Sequence, residues 1–397
     1  MTLFGYGITT KAIAQKFGGC KIYDDKFSAL TTDKLGNEFH PSENFNPEVA
    51  DLEITSPGIP PSHPLIQKAK HLVSEYDLFA PDMPFSIWIS GTNGKTTTTA
   101  MTEALLADKG AIAGGNIGTP IAALDENAPI WILETSSFTL HYTNIASPNL
   151  YILLPITPDH VSWHGSFEAY EEAKLKPLKT MKEGEIAILP SKYAEVETMA
   201  MKVLYESAED LAKYFDFDLE KIDFKEPFLT DALLAMATKK ILFDKTDYKT
   251  INAFKIGAHR VEEFSDAKGR LWVNDSKATN ADATIAALSS YHDKKILLIL
   301  GGDDKGADLS ALFEALKPLD VEVFAIGSNC DKILTTTHTI GKVAHRCEVL
   351  KDAVIMIDGY HDTASVALLS PAAASLDQFP SYAKRGEDFM RFVKDLS

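Results

Sequence analysis

Ser90-Gly-Thr-Asn-Gly-Lys-Thr96 sets two glycines, a lysine and a hydroxyl between an apolar run at 85–89 and a helical stretch from 97 to about 108. Residues of these types at this spacing can bind phosphate. Glycines let backbone N–H groups converge on phosphate oxygens, and the start of a helix adds its positive dipole end. Lys95 would reach the terminal phosphates and Thr96 would offer its hydroxyl to Mg²⁺, with Gly91, Thr92, Asn93, Gly94 and Thr97 completing the cradle. The string is shorter than the G-x-x-x-x-G-K-[ST] pattern, because Ile89 stands where that pattern has its first glycine. Downstream, Ile130-Trp-Ile-Leu-Glu134 reads as a strand ending on a carboxylate. Beside a phosphate loop such an acid holds Mg²⁺; taken alone, Glu134 is an exposed strand end.

Three further groups carry less information by themselves. Gly5-Tyr-Gly-Ile-Thr-Thr10 approximates a G-x-G-x-x-G turn, with Thr10 in place of the third glycine and Asp24-Asp25 near the position of a ribose-binding carboxylate. It reads equally as an ordinary strand-to-helix connection. A strand at 150–154 runs into Pro155-Ile-Thr-Pro-Asp-His160, where His160 reads as a structural histidine. Lys174, in the helical segment 167–176, reads as a solvated helix lysine.

These groups need strands and helices to present them. Short β-rich runs and helical stretches alternate along most of the 397 residues, the βαβ signature of parallel sheets in an α/β protein. Pro-rich punctuation near 81–84 and Gly257 divide the chain into three expected domains, 1–83, 84–256 and 257–397. In the third, strands at 271–273, 296–300 and 366–369 run into Asn274-Asp-Ser-Lys277, Gly301-Gly-Asp-Asp-Lys305 and Ser370-Pro371, with a further strand at 321–326 and helices at 281–291 and 309–317. Ligands of open parallel sheets bind at such carboxyl ends. Apolar residues at 45% are enough for a core in each domain. A net charge of −17 argues against nucleic-acid or anionic-membrane binding, so a phosphorylated ligand must be held by local features. Cys20, Cys330 and Cys347 are odd in number and far apart, as reduced thiols of a cytoplasmic protein are. No stretch approaches the ~18 apolar residues of a membrane span.

Taken together and in order, GTNGKT, ETSSF, PDH followed by Y-x-x-x-K, AHR, NDSKATN, GGDDKG and LSPAAASLDQF resemble the Mur ligase family, from Gly5 to about Gly386. NDSKATN and SPAAASLDQF resemble the branch that adds D-glutamate. The resemblance implies a Rossmann-like first domain, a P-loop-type central domain and a Rossmann-like third domain. It implies an ATP-driven ligase, a monomer, acting on UDP-N-acetylmuramoyl-L-alanine and D-glutamate through an acyl phosphate. It further implies that Lys95, Glu134, His160, Lys174 and Lys277 are catalytic, with Thr96, Glu134, His160 and a carbamylated Lys174 around two Mg²⁺ ions. Asn116, Arg260 and Asp275 would join the phosphate loop in contacting nucleotide. Gly7, Ile8, Thr9, Asp24, Asp25, Ser56 and Gly58 would hold the uridine moiety, and Asn116, Ser137 and His160 the acceptor. Thr279, Lys305, Ser375, Leu376 and Tyr382 would hold D-glutamate.

The chain departs from the family at several positions. Phe228 and Asp231 stand where adenine-side amides are expected, Tyr382 replaces a phenylalanine, Thr139 a glutamine and Asp304 a glycine. A folylpolyglutamate synthase-like ligase is the rival in the same reaction class, and a P-loop switch protein the rival outside it.

Overall fold

A computed structural model describes residues 1–116 and 118–396. The alternating runs form three six-stranded sheets. The first contains β1 (Thr2–Phe4), β2 (Lys21–Asp24), β3 (Thr31–Thr32), β4 (Glu38–Pro41), β5 (Glu53–Thr55) and β6 (Leu72–Val73), in the order β3-β4-β2-β1-β5-β6. The second contains β7 (Phe85–Ser90), β8 (Ala111–Gly115), β9 (Ile130–Glu134), β10 (Leu150–Leu153), β11 (Ile186–Pro190) and β12 (Met201–Tyr205), in the order β12-β11-β10-β7-β9-β8. Its pairings are all parallel. The third contains β13 (Glu262–Ser265), β14 (Leu271–Asn274), β15 (Lys295–Gly301), β16 (Val321–Ile326), β17 (Val343–Glu348) and β18 (Ser365–Leu369), in the order β13-β14-β18-β15-β16-β17. Only β3 and β13, both at sheet edges, pair antiparallel.

The chain divides into two compact units, 1–224 with 228–254 and 225–227 with 255–397. In the first unit one apolar cluster runs from Leu3, Ile13 and Ile54 through Tyr76 and Phe79 to Trp88 and Trp131, so the first two sheets share a core. Asp77 reinforces that packing by accepting from the backbone N–H groups of Asn144, Ile145 and Ala146 at 2.8 Å each.

In the second unit the buried strands alternate strictly. Val273, Leu298, Leu300, Val323 and Leu368 face one core. Trp272, Leu297, Ile299, Phe324 and Leu369 face the other. A period of two with both faces apolar is what a sheet covered by helices on both sides requires. The expected strands at 271–273, 296–300, 321–326 and 366–369 match β14, β15, β16 and β18 to within a residue at each end. The helices expected at 281–291 and 309–317 span Ala281–Ser289 and Ser310–Leu316.

Candidate active site

β7 delivers the chain to Gly91, and the helix Lys95–Leu106 begins four residues later. The turn between them depends on glycine. Gly94 caps the helix with φ 82° and Gly91 has φ 141°; a Cβ at either would run into Leu154, and at Gly94 into the Asp231 carboxylate as well. The Thr92 hydroxyl accepts from Thr157 N at 2.9 Å and lies 3.0 Å from both Thr157 O and the Tyr170 hydroxyl. Thr92 N also donates to Pro155 O at 3.1 Å, so Thr92 fastens the loop to its neighbours by both side chain and backbone. Lys95 arches back over the turn, with Nζ donating to Gly91 O at 3.0 Å and Thr92 O at 2.7 Å. Asp231, at one of the adenine-side positions, is buried beneath the helix start and accepts from the Thr98 hydroxyl at 3.2 Å.

Two readings of isolated residues are overturned here. Lys174 is not a solvated lysine. It is 1% exposed, and its Nζ donates to Gly91 O at 2.7 Å, the same carbonyl that Lys95 uses. The helix Phe167–Thr180 buries Tyr170, Lys174 and Leu178 on one stripe, which places the ammonium under the phosphate loop. Burial, and then the Lys95 charge, push the Lys174 amine well below the ordinary lysine range, against the pull of Asp159 and Glu134. Nor is Glu134 an exposed strand end: it is 2% exposed. Its Oε1 accepts from Asn116 Nδ2 at 2.6 Å, while its Oε2 is buried with no partner among the described residues.

His160 caps the short helix Val161–His164 in left-handed conformation, with its ring exposed 3.5 Å from Asp159. The buried Ser137 hydroxyl lies 3.0 Å from Nε2 of His164. Sequence reasoning passed over His164. Burial, reinforced by His141, His160 and Lys174, takes its pKa down to about 4, so the ring is neutral at pH 7. Its four-residue spacing from His160 was the available signal.

At the carboxyl ends of β1, β2 and β5 the expected uridine-side residues gather. Gly7 caps the helix Ile8–Phe17, whose first residue Ile8 is exposed, with Thr9 half-buried behind it. A Cβ on Gly7 would stand 2.9 Å from Ser56 Oγ, so the glycine turn packs directly against the Ser56–Gly58 loop. Asp24 accepts from Tyr6 N at 2.7 Å and Lys26 N at 2.8 Å. Asp25 pairs with His63 Nε2 at 3.0 Å, and hydrogen bonds from Ser42 and His63 hold its carboxyl below the usual range. Both acids thus brace the turns that surround the strand ends.

In the second unit, β14 ends on Asn274 and leads into Asp275 and Lys277. Asp275 is buried, accepting from Ser370 Oγ at 2.7 Å and Val261 N at 3.2 Å. Burial raises its carboxyl to about 7, opposed by the Ser370 and Val261 hydrogen bonds and the Arg260 charge. Lys277 Nζ lies 4.2 Å from the Tyr382 ring centre, a cation–π contact. Reciprocal backbone bonds between Asp303 and Ala374, at 3.0 and 2.9 Å, bring the loop bearing Lys305 against the segment bearing Ser375 and Leu376. Lys305 and Thr279 are exposed, Leu376 is exposed and Ser375 is buried. Asp304, the residue standing in for a glycine, ties that loop down by accepting from Lys332 at 2.8 Å and Asn329 at 3.2 Å.

Among the described residues no three His, Cys, Asp or Glu side chains gather so as to hold a metal by themselves. The unpartnered Oε2 of Glu134 suits a different arrangement. Mg²⁺ is ordinarily held by one or two carboxylates, water and nucleotide phosphates, and Glu134 with the Thr96 hydroxyl fits that donor set.

A parallel sheet carrying a glycine turn, a lysine at a helix start and a buried carboxylate on the adjacent strand defines a phosphate-loop α/β protein. The comparisons specify the kind. The Mur ligase middle domain matches residues 89–288, and the Mur ligase, glutamate ligase domain matches residues 259–373. The UDP-N-acetylmuramoylalanine--D-glutamate ligase of Campylobacter jejuni subsp. jejuni serotype O:23/36 (strain 81-176) is 54% identical over 400 residues, covering 100% of both chains. The solved structure of MurF ligase from Thermotoga maritima in complex with ADP has a TM-score of 0.61 at 16% identity, covering 99% of this chain and 97% of that one. The structure of E. coli FolC in complex with DHPP and ADP has a TM-score of 0.58 at 16% identity, covering 82% of this chain and 94% of that one. The last two likenesses are of fold alone. The chain belongs to the Mur ligase family.

Proposed function

We propose that this chain joins D-glutamate to UDP-N-acetylmuramoyl-L-alanine, driven by ATP, as a monomer in cytoplasmic peptidoglycan precursor synthesis. The full-length identity to the Campylobacter ligase supports this reading, and the folylpolyglutamate synthase alternative rests only on a distant likeness of fold. The observation that carries it is the meeting of the Lys95 and Lys174 side chains on one carbonyl of the glycine turn. The Lys95 ammonium at that point suits a polyphosphate tail, and the buried Lys174 amine beside it suits a group that faces the metal.

The chemistry poses a charge problem. A carboxylate of the uridine substrate must attack the γ-phosphorus of ATP, and both are anionic. Lys95 and the backbone N–H groups at the Lys95–Leu106 helix start neutralise the phosphates, and Lys277 adds a second cation. Glu134 and Thr96 would hold Mg²⁺, whose charge would lower the remaining repulsion. The P–O bond to ADP breaks and an acyl phosphate forms. The free amine of D-glutamate then attacks the activated carbonyl, and inorganic phosphate leaves from the tetrahedral intermediate. In this reading residues 1–83 hold the uridine end through Gly7, Ile8, Thr9, Asp24, Asp25, Ser56 and Gly58. Asn116, Ser137 and His160 line the acceptor. Arg260 and Asp275 reach the nucleotide, and Thr279, Lys305, Ser375, Leu376 and Tyr382 hold D-glutamate.

Lys174 also suits carbamylation. Burial lowers its pKa and so favours the unprotonated amine, which can add to CO₂ and lose a proton; the resulting carbamate is an anion able to face a metal, where an ammonium would repel it.

Phosphate release from ATP and Mg²⁺ tests the assignment, with each substrate added separately and then together. Release should require both, and Lys95→Ala should lower it on the order of 10³-fold. Release independent of the substrates would leave only the switch-protein reading.

A further inference from the structure

Arg385, in the helix Tyr382–Lys394, is 1% exposed. Its Nε donates to Ser276 Oγ at 2.9 Å, and its Nη2 donates to Ser276 O at 2.9 Å and Ala373 O at 3.0 Å. The Ser276 hydroxyl in turn donates to Tyr382 O at 2.8 Å. Nη1 is shielded from solvent, has no partner among the described residues, and lies 3.3 Å from where a Cβ on Gly302 would stand.

The segments that meet on this guanidinium are the ones that bear the proposed D-glutamate contacts. Ser276 immediately precedes Lys277 and lies three residues before Thr279. Ala373 lies two residues before Ser375, Gly302 three before Lys305, and Tyr382 opens the helix that carries Arg385. The charge is as notable as the geometry. Among the described residues no carboxylate lies within ion-pair distance of Arg385; Asp377 and Asp275 act on it only through space. A buried cation without a direct counter-ion is costly to the fold. That cost is offset when an anion arrives nearby, and D-glutamate brings two carboxylates.

We propose that Arg385 is a positioning residue of the dicarboxylate subsite, holding its walls in register by its planar fork and favouring a doubly negative amino acid by a charge that has no direct counter-ion. This rests on the reading of Thr279, Lys305, Ser375 and Tyr382 as D-glutamate contacts. A lysine would keep the charge and lose the fork; a methionine would lose both.

Steady-state kinetics of the full chain, varying each substrate in turn, test it. Arg385→Met should raise KM for D-glutamate at least tenfold while KM for ATP and for the uridine substrate stay within twofold. Arg385→Lys should raise it less, and guanidinium ion at millimolar concentration should partly restore Arg385→Ala. If Arg385→Met does not fold, Arg385→Lys and the rescue carry the measurement. An unchanged KM for D-glutamate in every soluble variant, with only kcat or thermal midpoint lowered, would overturn the proposal. Ser375→Ala and Lys305→Ala separate the two levels. If they raise KM for D-glutamate and the Arg385 variants do not, this inference falls and the placement of the subsite stands. If neither they nor the Arg385 variants do, the placement falls too.

Discussion

The amines of Lys95 and Lys174 share the Gly91 carbonyl, and only Lys174 is fully enclosed. Enclosure, and then the neighbouring Lys95 charge, lower its pKa and so favour the unprotonated amine, the form that reacts with CO₂. Lys174→Ala should therefore lose activity by at least an order of magnitude and regain part of it with added acetate or bicarbonate. A ¹³C-carbamate resonance from labelled bicarbonate, present in the parent and missing from the variant, is an independent readout. Full activity without rescue would remove the carbamate. Glu134→Gln makes a different prediction. The amide oxygen can still accept from Asn116 Nδ2, so thermal stability should change little. The charge proposed to face the metal is lost, and kcat should fall on the order of 10²-fold. Neither enclosure was legible in the sequence. Tyr170, Lys174 and Leu178 form a helical stripe, but a stripe containing lysine ordinarily points outward, and only the turn at Gly91 supplies the carbonyl that makes it point in.

At the scale of elements, the five-residue helix Glu75–Phe79 supports the neighbouring site strand from beneath. The Tyr76 hydroxyl donates to Glu134 O at 3.2 Å, and Ala122 N donates to Glu75 Oε1 at 3.0 Å. Burial raises the Glu75 carboxyl to about 7, against hydrogen bonds from Ala122 and Ile121. A carboxyl raised in the fold contributes its stability below its unfolded value, near 4.5, and loses it as pH rises through 7. Glu75→Gln mimics the protonated form. Its stability relative to the parent should therefore climb between pH 5 and pH 8, by on the order of 3 kcal/mol. Thermal midpoints of both proteins across that range measure it; parallel curves would contradict it. The buried strands were readable because their apolar runs are continuous. β13 and β17, at the edges of the third sheet, were not: Glu-Glu-Phe-Ser and Val-Ala-His-Arg-Cys-Glu expose polar residues and lack the run. Their strand state comes from pairing with β14 and β16.

For the whole molecule, Lys95 belongs to one compact unit and Lys277 to the other, while the proposed chemistry requires both at one phosphate. The proposed reading predicts closure on ligand binding, with exclusion of water from the acyl phosphate. Small-angle scattering should show a smaller radius of gyration with an ATP analogue and the uridine substrate than without them, and equal dimensions would count against closure.

The α/β class, the phosphate loop, the carboxylate that ends β9 and the polar ends of the third-sheet strands were determined by the sequence alone, because glycine geometry, apolar period and strand-end position are local properties. Tertiary structure decided the rest. It buried Lys174 and Glu134, gave Asp24 and Asp25 contacts that brace their turns, and set Arg385 under three distant segments. Burial and charge pairing depend on what packs against a residue from elsewhere in the chain, and no local spacing encodes that.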